Sequence, residues 1–124
     1  MISISPQQKI WIAIRMASVE LGYDTYDYLP DERVDYPFVF IGEQFKQDER
    51  IHKDSLNGRT QITVHVWHND YKKRGYLSNM MTELEHAVRN KFGMRLLQSD
   101  TRIIVDSSTG SDLLHGIIDF NIKY

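Results

Sequence analysis

The chain contains no cysteine. Disulfide staples, Cys-based zinc sites and a thiol nucleophile are therefore excluded together. Long apolar runs are missing too. The longest, Ile10 to Ile14 and Phe38 to Ile41, fall far short of the ~20 residues that a membrane-crossing helix needs, so no membrane partner is expected. There is no excess of positive charge either. Fifteen basic against seventeen acidic residues give a net charge of -2, which exerts no overall pull on a polyanion, and sequence-specific nucleic-acid binding is not expected. The opening Met-Ile-Ser-Ile-Ser-Pro lacks the basic start and apolar stretch of a secretory signal, which leads us to expect synthesis in cytoplasm. No Gly-x-Ser-x-Gly, Walker-type phosphate loop or His-Glu-x-x-His occurs. The expectation is a protein that binds and assembles rather than an enzyme, with no catalytic residue, cofactor or metal.

What is present is the composition of one globular domain spanning residues 1–124, with 41% hydrophobic and 26% charged residues. Pro6 suits a first helical turn with Ser5 as its cap, and Ile10, Ala13, Ile14, Ala17 and Leu21 recur at three and four. This spacing predicts an amphipathic helix ending at Gly22. Tyr23 to Tyr36, acidic and rich in tyrosine, reads as a short strand and a turn. Phe38 to Ile41, bounded by Pro37 and Gly42, reads as a central buried strand. Residues Glu43 to Arg59 are mostly polar and read as a long loop or extended hairpin closing on the turn signal Asn57-Gly58.

From Thr60 to His68 the residues alternate, with Ile62, Val64 and Val66 on one face and Thr63, His65 and Trp67 on the other, as in a half-buried strand. Asn69-Asp70 is a candidate cap for a second helix carrying Leu77, Met81, Leu84 and Val88 and stopping near Gly93. A strand around Arg102 to Asp106, a Ser-Ser-Thr-Gly turn and a strand with Ile118, Phe120, Ile122 and Tyr124 on one face complete the chain. Strands and helices do not alternate regularly, so the expected fold is α+β: a mostly antiparallel sheet with two helices on one face.

Five histidines raise the question of a metal. His65 and His68 are the nearest pair, but three residues apart on a strand they point to opposite faces. His52, His86 and His115 sit in unrelated contexts. The carboxylates of Asp24 to Asp35 lack the Asp and Gly spacing of a calcium loop and read as a solvated turn. Two features suggest contact with partners. The segment 43–59 exceeds the usual connection of about 4 to 6 residues, and its Phe45, Ile51 and Leu56 would be buried only against a partner. Trp67, His68, Tyr71 and Tyr76 cluster beside Lys72, Lys73 and Arg74, a mixture typical of interface hot spots, although packing of Trp67 beneath the second helix would serve equally.

The run Gln61-Ile62-Thr63-Val64-His65-Val66-Trp67-His68, followed by polar residues and a helix with Leu77, Met81, Leu84 and Val88, resembles a family of small tailed-phage proteins. So does Val34-Asp35-Tyr36-Pro37-Phe38-Val39-Phe40-Ile41-Gly42, with its Tyr-Pro opening, apolar strand and closing glycine. The family comprises tail-completion, tail-terminator and tail-to-head joining proteins, and the resemblance runs from the first helix to the last strand. It implies a structural subunit of a phage or prophage virion, put together in the host-cell cytoplasm. Such a subunit forms a homo-oligomeric ring, commonly a hexamer, on the end of the tail tube and presents a surface to the head connector. These are packing patterns, and no functional residue carries over from them. On this picture Phe45, Arg50, Ile51 and Lys53 form a partner-facing loop, with Trp67 and Tyr71 as a second contact. Deleting Gln44 to Leu56 should then leave a folded monomer that no longer assembles. The alternatives are another neck or head-completion connector protein and, from a different class, a small ligand-binding module or enzyme using His65, His68 and the acidic turn.

Overall fold

The computed structural model describes residues 5–31, 33–52, 55–93, 97–108 and 110–124, with 48–52 and 55–57 described as backbone only. Helix α1 spans Pro6–Glu20. Its cap is the expected one, with the Ser5 hydroxyl accepting from the Gln8 N–H at 3.2 Å and Pro6 in the first turn, where its missing N–H costs nothing. Gly22, at φ 87°, takes the chain out of the helix through a conformation that only glycine adopts freely. A two-residue strand, β1 (Thr25–Tyr26), follows, then the long strands β2 (Phe38–His52) and β3 (Ser55–His68). Helix α2 (Arg74–Phe92) leads to β4 (Leu97–Asp106) and β5 (Leu113–Lys123).

The five strands lie in the order β1-β2-β3-β5-β4. Only β1 and β2 run parallel; the other three ladders are antiparallel. Both helices cover the same face. There Val39 and Ile41 of β2, Ile62, Val64 and Val66 of β3, and Leu114, Ile118, Phe120 and Ile122 of β5 meet Ile10, Ile14 and Ala17 of α1 and Leu77, Met81, Leu84 and Val88 of α2 in one core. The expected α+β architecture is thus the observed one. Each fully buried Val, Leu, Ile, Met or Phe among these contributes roughly 1.5–3 kcal/mol by leaving water.

Several expectations need correction. Of the two readings of segment 43–59, the extended hairpin is the observed one: β2 and β3 are paired from Phe38↔Trp67 out to His52↔Ser55. Asn57-Gly58 is not its turn. Gly58 lies in β3 opposite Asp48 and exchanges backbone hydrogen bonds with Tyr124, its N–H donating at 3.2 Å and its carbonyl accepting at 3.0 Å. A Cβ on Gly58 would fall 2.4 Å from the Tyr124 hydroxyl, so glycine serves close approach here rather than turning. The strand expected around Arg102 begins earlier, at Leu97, which is buried opposite Ile122. Asn69-Asp70 does not cap α2. The Asp70 carboxylate accepts from the Lys72 N–H at 3.0 Å and shapes the turn before the helix, whose cap position is Lys73 without a side-chain bond. Trp67 does not pack beneath α2, because it faces away from both helices.

One irregularity positions the candidate site. The register of β2 on β3 shifts between Ile41↔Val64 and Gln44↔Ile62, so Gly42 and Glu43 together oppose Thr63. This bulge reverses the phase of β2. Before it, Val39 and Ile41 face the helices. After it, Gln44 does, donating to the Gln7 carbonyl of α1 at 3.0 Å, while Phe45 joins the open face opposite Gln61.

Candidate interaction surfaces

The period-two alternation that sends valines and isoleucines into the core sends a different set to the open face. Cross-strand pairs Phe40↔His65, Phe38↔Trp67 and Trp67↔His115 bring it together. Phe40 stacks on His65 with ring centres 5.3 Å apart, His65 on His115 at 4.9 Å, and His115 on Trp67 at 3.8 Å with planes inclined by 11°. Tyr26 and Tyr36 close on Phe38 at 5.8 and 5.2 Å. The result is a band of rings across the middle of the sheet.

Its polar atoms are mostly paired within it. His65 Nδ1 lies 2.7 Å from His115 Nε2, and His65 Nε2 lies 3.2 Å from the Glu43 carboxylate that the bulge has turned toward it. The consistent neutral arrangement has each imidazole protonated on Nε2: His65 donates to Glu43, and His115 donates to His65 Nδ1. Burial, reinforced by His65, holds the His115 pKa down at about 4, so His115 is neutral near pH 7. Gly42 leaves the room this needs, since a Cβ there would lie 2.8 Å from His65 Nε2. The Trp67 indole N–H is buried and has no hydrogen-bond partner among the described residues.

Beside this band lies a cleft of about 270 Å³ whose walls are chiefly Leu29, Tyr36, Phe38, Trp67 and Leu113, with Asp31 and Asp106 at its margin. The Asp106 carboxylate sits below its ordinary pKa, held there by its bonds to Ser108. These carboxylates and imidazoles do not converge. Among the described residues no group of three or more His, Asp or Glu side chains is placed to hold a metal ion, and no helix is long and apolar enough to cross a membrane.

The residues singled out from sequence do not form one site. Phe45 is 67% exposed on the open face, beside Gln47, Arg59, Gln61 and Asn121. Arg50 and Ile51 belong by backbone to the hairpin, but their side chains, like all of Lys53, lie outside the described residues. Trp67 sits at the other end of β3, separated from Gln61, the partner of Phe45, by six residues or roughly 20 Å of strand. Tyr71 is 58% exposed in the turn before α2, with the Lys72 ammonium 5.9 Å from its ring centre.

His65 does not approach a metal with His68; its partner is His115, which the sequence left in an unrelated context. The signal was available in part. Continuing the alternation of the last strand back from Asp119 puts Ile117 and His115 on the face shared by Asp119 and Asn121. Placing that face beside His65 additionally requires β5 to lie against β3, which no local pattern states.

A five-stranded, mostly antiparallel sheet with two helices on one face is the class to which the chain belongs by fold. No protein-family model matches it, and no curated protein matches it in sequence. Among solved structures it is similar to a chain from the virion of a native gene transfer agent (GTA) particle. The two are 13% identical, with a TM-score of 0.55, over 92% of this chain and 90% of that chain. At that identity the likeness is one of fold.

Proposed function

We propose that this protein is a structural virion assembly protein of a tailed phage or prophage. It ends the tail tube and joins it to the head connector as a ring, with a hexamer favoured. The observation that carries this reading is the likeness to a virion chain over nearly the whole length of both. The sequence resemblance to tail-terminator and tail-completion proteins, which rests on packing patterns, points the same way. The architecture suits a subunit that meets several neighbours at once, because a ring needs two different surfaces on each copy and further surface for what lies above and below.

The hairpin supplies one such surface. Beyond Asp48↔Gly58 its two strands pair only with each other among the described residues, so the segment extends past the body of the sheet. We assign Phe45, Arg50, Ile51 and Lys53 to contact with a neighbouring subunit or the tube. Tyr71 and the exposed edge of Trp67 are assigned to a second contact at the opposite end of β3.

The test is co-sedimentation of the purified protein with assembled tail tubes and, separately, with connector particles, followed by electron microscopy of the tube ends. A ring capping the tube is the expected result. Binding to the connector alone would transfer the protein to the neck or head-completion class, and binding to neither would overturn the assembly reading.

A further inference from the structure

Among the described residues strand β4 is an open sheet edge of ten residues, paired with β5 in unbroken register from Leu97↔Ile122 to Asp106↔Leu113. Such an edge is commonly protected by a proline, a bulge, a short length or charged side chains; β4 lacks the first three and carries Asp100, Arg102 and Asp106. The opposite edge differs, being partly covered by β1 and interrupted by the bulge at Gly42 and Glu43. On β4 the charged residues are arranged as complements. Asp100 and Arg102 flank Thr101, are exposed, and make no hydrogen bond or ion pair with each other or with any described residue. Asp100 also stands directly opposite Asp119 on β5, an unfavourable like-charge pair whose Asp119 member already accepts from Thr63.

We propose that β4 docks on β4 of a second copy of this chain, antiparallel and centred on Thr101. In that register Asp100 of each copy faces Arg102 of the other, giving two symmetric cross-strand ion pairs that also relieve the repulsion from Asp119. Val105, 54% exposed, comes to lie over the partner's Leu97 position, and both helix layers stay on one side of a continuous ten-stranded sheet. Neighbouring registers with the same facing fail on charge. Centring on Arg102 or Asp100 opposes like charges directly, and centring on Ile103 sets Asp100 against Asp106. The pair closes at two copies and is therefore separate from the head-to-tail contact that a ring requires. Its test stands whether or not the tube reading does.

The experiment is light scattering on the full chain at low salt, from low micromolar to submillimolar concentration. The mass should climb from 14.6 kDa toward twice that value. Asp100→Arg and Arg102→Asp each set like charges opposite one another twice per dimer and should weaken association by about tenfold or more. The double variant Asp100→Arg/Arg102→Asp restores complementarity and should dimerise like the parent. Because both positions are exposed, circular dichroism should show all three variants folded, and recovery in the double variant separates lost pairing from lost folding. A mass of 14.6 kDa at every concentration would overturn the proposal. So would a dimer equally strong in both single variants.

Discussion

His65 and His115 share one hydrogen bond of 2.7 Å while their rings stack, and this half-buried setting disfavours a proton on His115. Glu43 already engages the far nitrogen of His65. At His115 burial lowers the pKa most and His65 next, while Asp106 raises it and Arg102 and Glu43 act more weakly in opposite directions. His115 therefore packs as a neutral ring, and what it confers is sensitivity to acid.

The folded pKa of His115, about 4, lies below its ordinary 6.5. Between these values the unfolded chain binds a proton that the folded chain refuses, so stability is complete above pH 6.5 and declines as pH falls toward 4. Asp106, whose folded pKa is lowered from 3.8, acts in the same direction but only at still lower pH. Melting temperature measured from pH 8 to pH 4.5 should fall below about 6.5, and the fall should flatten in His115→Phe, which keeps the stack and removes the titration. An unchanged slope in that variant would show that the acid sensitivity arises elsewhere.

Gly42 is constrained by the same stack. Alanine there brings a Cβ to 2.8 Å from His65 Nε2, and His65, held between Phe40 and His115, cannot swing away. Gly42→Ala should cost about 1–3 kcal/mol in urea unfolding, as overpacking does. In a His65→Ala background the same change should be nearly free, and equal costs in both backgrounds would place the strain in the backbone instead.

Trp67 presents the opposite case, a large ring with a buried N–H that pairs with nothing described. Removing the ring as Trp67→Ala should cost about 3 kcal/mol through loss of stacking and burial. Trp67→Phe keeps most of the stack and removes the orphan donor, so it should cost less than about 1 kcal/mol. A large penalty for phenylalanine in denaturant melts would mean that the indole N–H has a water or partner to satisfy it.

These residues also mark where sequence reasoning reaches and where it stops. Helix α1, with Ser5, Pro6 and the three-four spacing of Ile10, Ile14 and Ala17, was legible because cap, spacing and terminator are local. The faces of β3 were legible for the same reason, since alternation alone puts Val64 inward and His65 outward. The meeting of His65 with His115 was not, because it depends on β5 lying between β3 and β4, a fact of tertiary packing. The bulge was hidden as well: Gly42 read as the end of a strand, whereas it makes room for a ring from the neighbouring strand. Asn57-Gly58 misled because a glycine required for close approach to Tyr124 is indistinguishable, in sequence, from one required for a turn.

The hairpin offers the sharpest separation of folding from assembly. Removing Gln44 to Leu56, the simplest excision from sequence, would also delete Gln44, which ties β2 to α1 through the Gln7 carbonyl and to Thr60, and Phe45, whose carbonyl accepts from Thr60. A cleaner variant keeps everything up to Asp48 and resumes at Gly58, with an Asn-Gly turn joining these directly paired residues. The excised segment pairs with nothing in the body of the sheet among the described residues, so melting temperature should change by only a few degrees. Co-sedimentation with tail tubes should nevertheless be lost if Arg50, Ile51 and Lys53 form the contact assigned to them. Retained binding by a folded, shortened protein would move the contact to Tyr71 and the far end of β3, and the matching variant Tyr71→Ala would then be the one to abolish it.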